Sequence, residues 1–299
     1  MQHITVLQSE AVHALNLSMG SVVVDCTFGA GGHAKSILEA IGAQGRYIGI
    51  DADPTAIEAG QRWAQQHENV TLIQGNFRTI KHILDNVGSL QVDAVLADLG
   101  WRMEQFDGSS GDPRGFSFTY DEPLKMTYGS AEDYAFTAAD IVNEWDEADI
   151  ANVIYAYGEE RFSRRIAKAI VERRKKRPIV TSGDLAAVVA GALPHRPGHH
   201  KTNPATKTFQ ALRIAVNDEF DALQELLQDG FAVLKPHGRL AIISFHSLED
   251  RIVKQTFRAF VHDQTGVLVN KKPITPSLPE QTENPRARSA KLRVIEKLP

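Results

Sequence analysis

Phe28-Gly29-Ala30-Gly31-Gly32-His33 is a glycine-dense turn that follows a short apolar run and opens a helical pattern. Glycine tolerates positive φ and lets a ligand approach the backbone closely. As G-x-G-x-x-A, with Gly29, Gly31 and Ala34, the turn fits a dinucleotide fingerprint. As a phosphate loop ending Ala34-Lys35-Ser36 it is one residue short and has alanine where glycine is needed. It also fits the nucleoside-binding loop of an S-adenosylmethionine (SAM) methyltransferase, and a plain ligand-free strand-to-helix turn. Asp51 lies 51 − 29 = 22 residues after Gly29, at the end of the next apolar run. An acid there can accept hydrogen bonds from both ribose hydroxyls, which serves NAD and SAM equally. Loop and acid together point to an adenosine-containing cofactor.

Asp98 in Asp98-Leu99-Gly100-Trp101 ends a further apolar run. In an open α/β sheet that is the crevice where ligands bind. An exocyclic amine has its lone pair delocalised into the base. An acceptor that takes its N–H hydrogen bonds favours the pyramidal nitrogen needed for in-line attack on a sulfonium methyl. Trp101 could stack on an extruded base or serve as a core residue. His246, in Ser244-Phe245-His246-Ser247, either touches the target nucleotide or is a turn residue before a helix capped by Ser247. Arg213 and Asn217 share a helix face at i, i+4, reaching RNA phosphate or holding structure; the structural role suits Asn217 better. His199-His200 lacks a neighbouring cysteine or acid cluster, and Asp107 to Asp112 lacks the spacing and terminal Glu of a calcium loop, so no metal is expected.

These residues need elements to hold them. Residues 21–28, 46–51, 70–74 and 92–98 read as strands, with helices between them and one starting at Pro54. Such alternation builds a parallel sheet covered on both faces. Residues 101–129 read as a long functional loop. A helical region follows from about 130 to 192, with Thr181 and Asp184 opening one of its helices. One long helix is expected along Phe209, Leu212, Val216, Phe220, Leu223, Leu227, Phe231 and Leu234. Then come a strand at 238–245, a helix at 248–262 and a final strand at 292–296. At 299 residues the chain is long enough for about two domains.

Composition narrows the class. With 42% hydrophobic and 23% charged residues the chain is globular rather than disordered. No stretch reaches the ~18 apolar residues of a membrane span, and the start lacks a secretory signal pattern. Cys26 is the single cysteine, which excludes an internal disulfide or zinc cage and suits a reducing cytosol. The net charge is −4, but charge is segregated. Residues 106–150 carry eleven acids against two bases; residues 161–177 carry nine bases against Glu172; residues 271–297 carry seven bases against three acids. Arg164, Arg165, Arg173, Arg174, Lys175, Lys176, Arg177 and Lys201 are therefore candidate phosphate contacts on a polyanion-facing surface.

The chain resembles the ribosomal RNA small subunit methyltransferase H family, SAM-dependent N4-cytosine methyltransferases. The resemblance rests on Asp25-Cys26-Thr27-Phe28-Gly29-Ala30-Gly31-Gly32-His33, Asp51-Ala52-Asp53-Pro54, Arg114-Gly115-Phe116-Ser117-Phe118 and Tyr157-Gly158-Glu159-Glu160-Arg161-Phe162. It rests further on Thr208–Ile214 with Val216-Asn217, Ile243–Arg251 and Asn284–Ser289. It implies a class I SAM-dependent methyltransferase fold: α/β, Rossmann-like, a seven-stranded, mostly parallel sheet. Residues 1–112 and 207–299 would form the methyltransferase domain, with a helical substrate-recognition domain inserted at 113–206. It implies methylation of a cytosine in the decoding region of 16S rRNA within the small ribosomal subunit, by a cytoplasmic RNA-binding enzyme. Cofactor contacts would fall on Gly31, Gly32, His33, Asp51, Phe77, Asp98 and Gln105. Catalysis would fall on Asp98 and His246, and RNA contacts on Trp101, Arg114, Arg164, Arg165, Lys201, Arg213, Asn217 and Arg251. Two segments depart from the family pattern. Trp101-Arg102-Met103-Glu104 stands in place of Val-Ser-Ser-Pro, and Lys125-Met126-Thr127-Tyr128-Gly129 in place of Asp-Met-Arg-Met-Asp. The departures leave two further readings: a SAM-binding ribosome-assembly protein with lost or retargeted activity, and, on the glycine motif alone, an NAD-dependent oxidoreductase.

Overall fold

The computed structural model describes residues 5–89, 91–100, 113–118, 121–194 and 203–299. Trp101, Gln105 and Lys201 lie outside them, as do Asp107 to Asp112 and His199-His200. The described chain divides into two compact units, 1–100 with 220–299, and 101–219.

The first unit is built on a seven-stranded sheet. Its strands are β1 (Val22–Asp25), β2 (Arg46–Asp51), β3 (Val70–Gln74), β4 (Val92–Asp98), β5 (Leu234–Ser244), β6 (Gly266–Leu268) and β7 (Lys291–Lys297). The order is β3-β2-β1-β4-β5-β7-β6, and only β7 runs against its neighbours. This is the class I methyltransferase arrangement. The order reverses between β1 and β4, so a crevice opens at their carboxyl ends.

Side chains alternate between two cores, as the period of two requires. Val24, Ile48, Ile50, Val95, Ala97, Leu240 and Ile242 face one layer. That layer is closed by α4 (Ile80–Asn86), α10 (Glu219–Ala232) and α11 (Ser247–His262), with Phe231 and Phe260 stacked at 4.1 Å. Val23, Tyr47, Ala94, Leu96, Ala241 and Ile243 face the other layer. It is closed by α1 (Gln8–Ala14), α2 (Gly32–Ile41) and α3 (Pro54–Ala64). Pro54 takes the first position of α3 behind an Asp53 cap. Among the described residues no helix is long and apolar enough to cross a membrane.

In the second unit α5 (Ala138–Glu144), α6 (Glu147–Gly158), α7 (Ser163–Arg174), α8 (Ser182–Ala192) and α9 (Thr206–Asn217) share a core. That core contains Ile141, Ile154, Ile170, Leu185 and Phe209. Thr181 caps α8 by accepting from Asp184 N, at the expected position. The single helix expected over 209–234 is instead two, because Asp218 sits at φ 48° and breaks it after Asn217. α9 thereby belongs to the second unit, whereas a boundary at 206/207 assigns it to the methyltransferase part. The short β6 and the helix Leu278–Glu283 (α12) carry no period long enough to read from sequence.

Asp250 in the first turn of α11 bonds Arg293 at 2.7 Å and Lys291 at 3.1 Å, pinning the helix to β7. Burial opposes its ionisation, but the two cations outweigh that and hold its carboxyl below the ordinary value. A depressed acid stabilises the fold above its unfolded pKa, and that stability is lost as pH falls through the folded one. The urea midpoint of the wild type should fall more steeply on acidification below about pH 4 than that of Asp250→Asn.

Candidate active site

The carboxyl ends of β2, β1 and β4 stand side by side and bear Asp51, Asp25 and Asp98. The chain leaving β1 stays tied to the sheet, with Cys26 N on Leu96 O at 2.8 Å and Phe28 N on Ile50 O at 2.9 Å. It then turns tightly through Gly31, which caps α2 at φ 74° with no side-chain hydrogen bond of its own. The first N–H groups of α2 are thus not consumed by a side-chain cap at Gly31. Gly32 is required for another reason: a Cβ there would lie 1.8 Å from Thr5 Oγ1.

Asp51 Oδ2 accepts from Gly29 N and Oδ1 from Asp53 N, both at 2.8 Å. These bonds join the turns after β1 and β2 and fix the plane of the carboxylate that would meet ribose hydroxyls. Phe77 starts a short 3-10 turn directly after β3 and is half buried against the α4 side of the core.

Asp98 is held through its backbone, Asp98 N donating to Thr27 Oγ1 at 2.7 Å. Its Oδ2 lies 3.6 Å from Nε2 of buried His33. Its Oδ1 is buried and has no hydrogen-bond partner among the described residues. Burial alone would depress the pKa of His33, but Asp98 and then Asp25 outweigh it, and the net shift is upward. Asp25 is 1% exposed and shifted upward by burial, against the lowering pull of His33, Tyr47 and Thr27.

Asp25, Thr27 and Tyr47 were not singled out as functional residues. Asp25 lay inside the strand read over 21–28, and only the structure ends that strand at Asp25, beside the strand of Asp98. Tyr47 carried no signal until the register was known. It pairs with Val23, two residues before Asp25 on the same face, and its OH reaches Asp25 Oδ2 at 2.8 Å.

His246 follows β5, neighbour of β4 in the sheet. It, rather than Ser247, caps α11: its Nδ1 accepts from Glu249 N at 3.3 Å, and Glu249 Oε2 accepts from His246 N at 3.2 Å. Its Nε2 faces Glu249 Oε1 at 3.1 Å. Arg251 is exposed on the same helix.

In the second unit the site residues separate into two groups. Arg114, Arg213 and Asn217 are buried and bonded internally. Arg114 donates to the carbonyls of Thr127 and Tyr128. Asn217 accepts from Tyr128 N at 2.8 Å and donates to Met126 O at 2.7 Å. Arg213 forms a two-pronged pair with Glu219 at 2.7 and 2.9 Å. The variant residue Tyr128 stacks on Phe116 and donates to Glu219, so the departure at 125–129 is built into this packing. Arg164 and Arg165 are exposed on α7 beside Arg161 and Lys168, while Arg173 and Arg177 turn to Asp184.

The donor set suits SAM on three counts: an uncapped helix start at a glycine turn, a fixed carboxylate at the end of β2, and a buried unpaired carboxylate oxygen at the end of β4. Residues 1–298 match the profile of the MraW methylase family. The chain is 45% identical to ribosomal RNA small subunit methyltransferase H of Brevibacillus brevis, covering 99% of this chain and 98% of that protein. It is 44% identical to the protein of the same name from Symbiobacterium thermophilum, over 99% and 96%. Among solved structures, an rRNA methylase from Streptococcus thermophilus aligns over 98% of this chain and 94% of its own, at 11% identity and a TM-score of 0.44, too distant to add to the assignment. With a glycine turn, a strand-end acid triplet and relatives this close over their whole length, the chain belongs to the MraW methylase family and is a SAM-dependent methyltransferase.

Proposed function

We propose that this enzyme methylates the N4 amine of a cytosine in small-subunit rRNA, in the cytosol where ribosomal subunits are assembled. The observation that carries the reading is Asp98 Oδ1, a buried acceptor with no partner among the described residues, at the switch point of the sheet. The names of the relatives at 45% and 44% identity support the substrate.

Gly31, Gly32 and His33 would hold SAM, with Asp51 at its ribose, Phe77 beside its adenine, and Asp98 and, by resemblance alone, Gln105 near its methionine end. When bound, SAM supplies a methyl group made electrophilic by its sulfonium. Asp98 Oδ1 accepts a hydrogen bond from the target amine and orients the nitrogen lone pair. The same oxygen is placed to receive the proton the amine must shed after transfer. Most of the acceleration comes from alignment, so no covalent enzyme intermediate is needed. We assign His246 to holding the start of α11 beside this acceptor. The helical unit, the insertion at 113–206 extended by α9, serves substrate recognition: Arg114, Arg213 and Asn217 shape it, and Arg164, Arg165 and Arg251 contact RNA.

Nucleoside mass spectrometry of unmethylated small subunits incubated with the protein and SAM should show N4-methylcytidine. Binding of SAM with no product on rRNA would favour a retargeted or inactive SAM-binding protein, and preference for NAD over SAM would sink the reading.

The exposed arginines give a second check. Each phosphate contact lowers the slope of log affinity against log salt by about 0.7–0.9. Arg164→Gln with Arg165→Gln should therefore flatten the slope by about 1.5 and leave stability within about 0.5 kcal/mol. An unchanged slope would remove both residues from the RNA surface.

A further inference from the structure

Buried Asp25, His33 and Tyr47, with half-buried Thr27, form a polar cluster behind Asp98 that the transfer step itself does not use. Asp25 receives donors on both oxygens. Tyr47 OH reaches Oδ2 at 2.8 Å, and Thr27 N reaches Oδ1 at 3.1 Å with Thr27 Oγ1 at 3.5 Å. These donors, with His33, favour the ionised form of Asp25 against the burial that shifts its pKa upward. The same Thr27 Oγ1 accepts from Asp98 N at 2.7 Å, so one hydroxyl joins the ends of β1 and β4. The ring of His33 is buried, with Nε2 3.6 Å from Asp98 Oδ2 and neither nitrogen hydrogen-bonded among the described residues. Burial opposes charging the ring, but the Asp98 carboxylate 3.6 Å away and then Asp25 outweigh it, and among the described residues no donor holds the neutral form. Carboxylates toward it reward the cation.

We propose that Asp25 is a positioning residue: with Tyr47 and Thr27 it holds His33 as an imidazolium against Asp98 Oδ2, leaving Oδ1 as the oxygen presented to the cofactor and the target amine. The proposal rests on the SAM-dependent methylation reading for the purpose of Asp98, but not for the state of His33. Among the described residues the titratable groups facing the cluster are Asp25, Cys26, His33, Tyr47, Asp51 and Asp98, contributed by β1 and the residue after it, β2, β4 and α2. Two acids around one cation leave the cluster net negative. That favours a sulfonium over the neutral thioether left after transfer, and so favours exchange of spent cofactor for fresh. The upward shift of His33 agrees with this arrangement.

The test is an NMR titration of the full-length protein without ligand, following imidazole C–H resonances from about pH 5 to 9. The His33 signal is identified by its loss in His33→Gln, and exposed His82 serves as the internal reference. In the wild type the His33 midpoint should lie above the ordinary value near 6.5. In Asp25→Asn it should fall by about one unit or more, with His82 unmoved. Calorimetry with SAM at pH 7.5 should show affinity weakened about tenfold in the same variant, the equivalent of one unit. A wild-type midpoint at or below that of free imidazole overturns the proposal without any variant, so a failure of Asp25→Asn to fold does not shelter it. A folded Asp25→Asn with an unmoved His33 midpoint overturns it as well. A raised midpoint in a protein that does not bind SAM overturns instead the functional reading, and with it the purpose assigned to Asp98. A merely structural Asp25 would lower the melting temperature and leave the His33 midpoint where it is.

Discussion

Asp98→Asn turns over about 10²–10³-fold more slowly than the wild type at saturating SAM and RNA, while the protein remains folded. The substitution keeps the size of the side chain and leaves the backbone bond from Asp98 N to Thr27 Oγ1 in place. What it removes is the charge at Oδ1, the buried oxygen with no partner among the described residues. A neutral amide accepts more weakly than a carboxylate, and in one of its two orientations it turns an NH₂ toward the incoming amine. It also cannot take up the proton that must leave the methylated nitrogen. Because these losses fall on the transition state, kcat should drop more than KM rises. The measurement is single-turnover methyl transfer on unmethylated small subunits, with SAM binding determined separately. A rate within threefold of wild type would show that Asp98 is a cofactor contact only, and would move the search for the acceptor to residues beyond the described ones.

Two of the three strand-end acids, Asp51 and Asp98, could be read before any coordinates, because strands alternating with helices place carboxyl ends on one edge of a parallel sheet, whereas Asp25 lay inside the strand read over 21–28. Asp51 and Asp98 are where that logic puts them. What spacing could not show is which side chains meet from different strands. Tyr47 reaches Asp25 only through the β1–β2 register, and register is a property of pairing rather than of either segment alone. The helix expected over 209–234 failed for a related reason. Its apolar period continues through Asp218, but one residue at positive φ ends α9, and the residues before and after it pack into different cores. Basic residues were the least legible group. Arg213 and Arg164 look alike in the sequence, yet one is buried on a carboxylate and the other stands in solvent.

That contrast sets the second large effect. Arg213→Ala destabilises the 101–219 unit by about 2–4 kcal/mol, because it leaves the largely shielded Glu219 without its cation. The pair is bonded twice, at 2.7 and 2.9 Å, and both side chains are largely shielded, 10% and 12% exposed. Tyr128 OH also donates to Glu219 at 3.0 Å, while Asn217, one turn beyond Arg213, clamps Met126 O and Tyr128 N. Loss of the guanidinium therefore loosens the 126–128 segment as well as α9. Hydrogen exchange of the α9 amides in the full-length protein reads the local opening free energy directly, with no assumption that the two units unfold together. Replacing both partners, Arg213→Met with Glu219→Leu, should recover much of the loss, since an apolar pair of similar volume incurs no desolvation penalty. If Arg213 acted instead as an RNA contact, Arg213→Ala would leave α9 exchange within about 0.5 kcal/mol of wild type and flatten the salt dependence of binding. Opening of α9 at unchanged salt slope is the signature of a residue that shapes the unit from inside, and it separates Arg213 from Arg164 on physical grounds that their shared chemistry conceals.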